Sequence, residues 1–122
     1  MNAATTPVWA AGALGVAWGV ALLARPEPLW RAVTGSGPHE TDVLAARALG
    51  VRHLVQGAAQ VAAPTHLRAV YVTVDLLHAA TMLPLALRPG RRRRAGALTT
   101  AVALASAATT VAAGRAGRGA RR

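Results

Sequence analysis

Two apolar segments, Val43–Ala62 and Leu67–Leu87, are hinged at Pro64, and each carries ionisable groups near its middle. Arg52 and His53 interrupt the first, and Asp75 and His78 interrupt the second. A charge at the centre of a membrane-length helix is expensive, so it is rare there and usually marks a partner or a use. The connection around Pro64 is so short that the second helix must run back antiparallel to the first. Arg52 lies twelve residues before Pro64 and Asp75 eleven after it. At about 1.5 Å per residue both sit about 17 Å from the turn, near the midplane of a hydrocarbon core about 30 Å thick. The spacing therefore predicts that Arg52 and His53 face Asp75, with Gln56 level with Tyr71 and His78 one turn beyond.

Helical projection sharpens this. Arg52, His53, Gln56 and Gln60 fall within an arc of about 100° on the first segment. On the second, Arg68, Tyr71, Asp75, His78 and Met82 share one face. Leaving Arg52 or Asp75 alone at mid-bilayer costs about 2.5–3.5 kcal/mol each on insertion scales. A guanidinium paired with a carboxylate, with His and Gln nearby, removes much of that cost.

Two further runs are long enough to cross a bilayer. Val8–Ala24 is uncharged over 17 residues and apolar all round. Trp9 and Trp30 lie near its two ends as interfacial anchors. A cleaved signal peptide is the rival reading, but no basic segment precedes the run. Ala95–Gly114 is uncharged over 20 residues and weakly hydrophobic. Ala11, Gly15 and Gly19 on the first run, and Ala101, Ala105 and Thr109 on the last, recur every four residues as small-residue stripes suited to close helix packing. The predicted architecture is all-α: one domain over residues 1–114, a four-helix transmembrane bundle with spans near 8–24, 43–62, 67–87 and 95–114. A disordered basic tail, 115–122, follows. The breaker-rich connection at 25–41 reads as a loop with a short interfacial turn near Trp30. Thr41 or Asp42 is its helix N-cap.

Charge fits the same picture. The net charge of +10 comes from 14 Arg and no Lys against four acids. These arginines cluster at the ends of apolar runs and do not line one amphipathic face, so lipid headgroups are expected as partners and nucleic acid is not. Arg88, Arg91, Arg92, Arg93 and Arg94 form a dense loop that reads as an orientation signal and anionic-headgroup contact. It places the loops after the first and third spans in the cytoplasm and both termini outside a multi-pass plasma-membrane protein. Cysteine is absent, which excludes disulfides and thiolate metal sites. No dinucleotide, phosphate-loop, zinc-protease or serine-hydrolase motif is present.

Three readings of the midplane cluster are open. It is a structural lock between two helices in a non-enzymatic accessory or assembly protein with a membrane-protein partner or a second copy. It is a proton-linked site of an oligomeric transporter or channel, with Asp75 and His78 one turn apart. Or His53 and His78 ligate haem, or hold a metal with Asp75 and Met82, in a haem- or quinone-associated redox protein, although Arg52 would repel a cation. No cofactor is expected under the first reading.

The runs R-A-L-G-V-R-H-L-V-Q-G (Arg47–Gly57) and V-D-L-L-H-A-A-T-M (Val74–Met82) resemble those of small four-helix membrane proteins of actinobacteria, and more loosely the DoxX-like group. The resemblance covers residues 8–113. It implies a four-helix bundle in the plasma membrane with these polar residues facing inward, and it brings no defined activity.

Overall fold

The computed structural model of the chain describes residues 5–119. Among them the order is α1 (Thr6–Ala24), α2 (Pro26–Thr34), α3 (Glu40–Ala62), α4 (Arg68–Leu87) and α5 (Arg93–Gly119), with no strand. Proline sets three of the boundaries. The residue before proline is driven out of the α region, and α1, α3 and α4 stop at Arg25, Ala63 and Arg88, each followed by Pro. Arg25 and Ala63 adopt nearly the same backbone, φ −137° and −138°.

The architecture is all-helical, but it contains one more helix than the sequence suggests. The breaker-rich connection holds α2. Pro26 occupies its first turn, where a missing N–H is harmless. Gly35 ends it in the left-handed region at φ 74°, its N–H bonded to Arg31 O at 2.8 Å. The following helix starts earlier than expected, with His39 at the N-cap and Asp42 at the third helical position. Asp42 reaches back to accept the His39 N–H at 2.9 Å, so its carboxylate serves the helix start from inside the first turn. At the other end of the chain, α5 continues through Arg115 and Arg118 to Gly119 and does not fray at residue 114. Alanine is a strong helix former, and arginine near a helix C-terminus is favoured by its dipole. Residues 1–4 and 120–122, including the last of the expected tail, lie outside the described residues.

Three helices, α1, α4 and α5, are long and apolar enough to cross a membrane. The 23 residues of α3 are long enough, but Arg47, Arg52, His53 and two glutamines dilute its apolar content.

The helices pack as two antiparallel pairs, α1 with α3 and α4 with α5; α1 also touches α5. Glycine controls the first pair. A Cβ placed on Gly57 would meet Gly12 O at 2.5 Å and Val16 N at 2.7 Å, and one on Gly19 would meet Gly50 O at 2.7 Å. The two backbones therefore touch along Gly12, Gly15 and Gly19 on one side and Gly57 and Gly50 on the other, a small-residue contact that replaces a side-chain core. In α5 the buried face is Gly96, Thr100, Ala103, Ala107 and Thr110, whereas Ala101 and Ala105 of the expected stripe are exposed and Thr109 is half-buried. Polarity runs opposite to that of a water-soluble bundle. Asp42, Gln60, Asp75, Thr100 and Thr110 are buried, while Leu14, Leu44, Val55 and Leu77 are more than 60% exposed.

One end of the bundle is closed by a second set of charges. Here α2 packs on α1, α3 and α5. The Asp42 carboxylate, 2% exposed, accepts from Arg91 Nη2 and, at 2.7 Å, from Arg92 Nε. Arg91 also donates to Gly37 O and stands 5.8 Å from the Trp30 ring, while Arg92 Nη2 reaches Thr41 Oγ1. Two arginines of the basic loop are thus engaged within the protein, leaving Arg88, Arg93 and Arg94 exposed.

Two outcomes follow from this packing. Gly57→Ala should destabilise the protein by about 1–3 kcal/mol, the usual cost of overpacking, because backbone must move. Gly37→Ala, with open space around it, should stay within about 0.5 kcal/mol; equal effects in detergent unfolding would contradict the contact. Burial alone would raise the pKa of Asp42, but the His39 N–H and then Arg91 and Arg92 outweigh it and hold the carboxyl below its ordinary 3.8. A group depressed in the folded state stabilises fully above its unfolded pKa of about 3.9 and loses that contribution as pH falls through the folded value. The stability gap between the wild type and Asp42→Asn should therefore be constant from pH 7 to pH 5 and shrink below about pH 4. A gap independent of pH down to 2 would contradict the pairing.

Candidate functional site

The helix pairs face each other across a polar bridge. Although α3 and α4 are consecutive and antiparallel, their backbones make little direct contact. Long side chains span the gap. Arg52 Nη2 donates to Asp75 Oδ1 at 2.8 Å, and Gln56 Nε2 donates to the same oxygen at 2.8 Å. Asp75 is 2% exposed and the Arg52 side chain 20%. Arg52 and Gln56 are one turn apart and so share a face, which lets both reach a single carboxylate. Removing one member of such a buried pair strands the other charge, at a cost of about 3–5 kcal/mol, whereas replacing both by apolar groups of similar volume is often neutral or stabilising.

The remaining expected members of the cluster separate. Tyr71, 3% exposed, turns toward the hinge and donates from its hydroxyl to Ala63 O at 3.2 Å. This bond satisfies a carbonyl at the α3 terminus and fixes how α4 leaves the turn. His78 and Met82 line a cavity of about 500 Å³ on the α2 side of the bridge, together with Arg52. His53 lines a second cavity of about 380 Å³ on the hinge side, with Gln56, Gln60 and Asp75. His53 and His78 thus open onto different spaces. Among the described residues, no three His, Cys, Asp or Glu side chains are grouped closely enough to hold a metal ion. That grouping gives no support to the metal set of His53, His78, Asp75 and Met82.

The walls of the larger cavity come from all five helices. Trp18 and Leu22 of α1, Leu29 and Trp30 of α2, Leu49 of α3 and Leu85 of α4 make most of it apolar. Trp18 and Leu98 line both cavities, so the Arg52–Gln56–Asp75 bridge stands between two spaces that share a wall. Sequence reading misses the cavities because they depend on how far apart the helix pairs stand. It also misses Trp18, whose place within an all-round apolar run carries no periodic signal.

Several buried polar atoms at the bridge and in the walls of the two cavities have no hydrogen-bond partner within the chain. They include Arg52 Nη1, Gln56 Oε1, Gln60 Nε2, Asp75 Oδ2, His78 Nε2 and Trp30 Nε1. Buried polar groups are nearly always partnered, so such a concentration around two cavities marks the candidate site. No protein-family model, curated protein or solved structure matches the chain.

Proposed function

We propose that the chain is a small integral membrane protein of non-enzymatic accessory or assembly type, in which the Arg52–Gln56–Asp75 bridge is a structural lock between two helix pairs. The observation that carries this reading is the inverted polarity of the bundle. Its buried positions are mainly Gly, Ala, Thr, Gln and Asp, with Val8, Leu22, Pro26 and Tyr71 the larger apolar exceptions, and its exposed large apolar residues are almost all Leu and Val. Water penalises that arrangement and lipid does not. On this reading α3 is a fourth span beside α1, α4 and α5, since Leu44, Val51 and Val55 give it an exposed apolar face. Arg47 lies near its α2 end, where a long side chain can reach the interface.

The proposed location is the plasma membrane, with the α2 end toward the cytoplasm and both termini outside. Exposed Arg88, Arg93 and Arg94 at that end suit anionic headgroups. The likeness to small actinobacterial membrane proteins, and more loosely to the DoxX-like group, belongs to the same proposal. An oligomeric proton-coupled transporter is the second reading, favoured by two observations: cavities flank the bridge on both sides, and Asp75 Oδ2 has no partner within the chain. Against it, a proton taken up at Asp75 Oδ2 would neutralise the carboxylate and leave the buried Arg52 charge unmatched.

Affinity isolation from native membranes in mild detergent tests the accessory role. A membrane-protein partner or a second copy should co-purify at reproducible stoichiometry. The double variant Arg52→Met/Asp75→Leu should retain it, because that pair of substitutions replaces the lock by apolar packing. The absence of any reproducible partner or dimer would overturn the accessory role, and loss of the partner from a stably folded double variant would overturn the structural assignment of the bridge.

A further inference from the structure

Six of the seven orphaned polar atoms among the described residues divide by chemistry between the two cavities; the seventh, Thr100 Oγ1, belongs to neither. Around the smaller one they are mixed, two acceptors (Gln56 Oε1 and Asp75 Oδ2) and one donor (Gln60 Nε2), a set that water can satisfy from both sides. Around the larger one every orphan is a nitrogen: Arg52 Nη1, Trp30 Nε1 and His78 Nε2. Arginine and tryptophan nitrogens only donate, and His78 donates in its Nε2–H tautomer. The rest of its wall is mostly Trp, Leu, Val, Met and Ala side chains; its other polar members, Thr41, Asp42, Arg92 and Thr99, are already bonded within the protein, Arg92 to Asp42 and Thr41 and Thr99 to the Ala95 carbonyl. Its volume of about 500 Å³ falls within the range of small-molecule sites, about 300–1,000 Å³.

We propose that this cavity binds an apolar molecule whose polar end carries a neutral carbonyl oxygen, held by Arg52 Nη1 and His78 Nε2 beside the bridge. Unpartnered donors with no unpartnered oxygen beside them select a ligand that brings acceptors. Neutrality follows from the bridge itself, since the Arg52 charge is already matched by Asp75 at 2.8 Å. A carboxylate lodged there would add an unmatched negative charge at low dielectric. The apolar body fills the space between Trp18, Leu49 and Met82, with Trp30 toward the α2 end. Access is through the gap between α3 and α4, whose backbones make little direct contact, so the molecule enters sideways from lipid. The site stands apart from the accessory role and holds whether or not a protein partner exists.

The three tryptophans give the readout. Full-length protein in detergent, with its indole nitrogens labelled, is titrated with 2-decanone, decane and decanoate while the indole N–H resonances are followed. The Trp18 and Trp30 signals should shift saturably with 2-decanone, at concentrations at least about tenfold below those needed for decane or decanoate. His78→Phe keeps a ring and removes the donor; it should weaken 2-decanone roughly three- to tenfold, the loss of one neutral hydrogen bond, and leave decane unchanged. Met82→Trp fills the space and should weaken ketone and alkane alike. Equal affinity for 2-decanone and decane would overturn the proposal by showing an undiscriminating apolar void. Preference for decanoate would overturn the neutral head, and the absence of any saturable shift would overturn the site. Should either variant fail to fold, the wild-type comparison of the three probes still decides.

Discussion

A single carboxylate oxygen joins α3 to α4 midway along their length. Asp75 Oδ1 receives Arg52 and Gln56, each at 2.8 Å, across a gap that the backbones of α3 and α4 do not close. Without that bridge, the α1–α3 pair and the α4–α5 pair would meet through the α1–α5 contact, the Tyr71–Ala63 bond at the hinge and the charges at the α2 end. The bridge also explains the spaces on either side of it. Side chains as long as Arg and Gln hold helices apart as well as together, and the apolar residues around them cannot fill what is left. A buried ion pair is a weak source of net stability. Its value here lies in fixing which helix faces which, and at what depth.

The remaining contacts divide the work by mechanism. Within the first pair, glycine allows backbone to lie on backbone, so cohesion comes from close packing and not from bulky side chains. At the α2 end, Asp42 draws Arg91 and Arg92 out of a basic loop and ties the α4–α5 connection to the start of α3. The same carboxylate accepts the His39 N–H, so one residue starts a helix and anchors a loop. Trp30 joins the arrangement through the face of its ring. The interior is thus held by glycine contacts and by two charged junctions of different composition.

Much of this was legible in the residues. Counting outward from Pro64 sets Arg52 and Asp75 at one depth, because a tight turn leaves almost no freedom in how two antiparallel helices register. The proline stops are equally local, and three of them lie where a helix ends. Other features depended on distance in space. Asp42 looks like an N-cap in sequence and becomes the centre of an ion cluster because residues some fifty positions later fold beside it. Tyr71 shares a face with Asp75 yet bonds to Ala63, since a phenol can reach along the helix toward the hinge. Within the chain α5 packs on a different face from the Ala101–Ala105–Thr109 stripe, for a physical reason too: in a run of Ala and Thr many faces are equally small, and Gly96 against Leu85 and Ala86 selects one.

The most direct test of the central interaction is a dipolar-coupling measurement in lipid bilayers, between the labelled guanidinium nitrogens of Arg52 and the labelled carboxyl carbon of Asp75. The 2.8 Å contact requires a strong coupling in the bilayer, and Asp75→Asn should change the guanidinium shift. A coupling too weak to detect, in a sample whose helices are intact, would mean that the two pairs are not joined through this bridge.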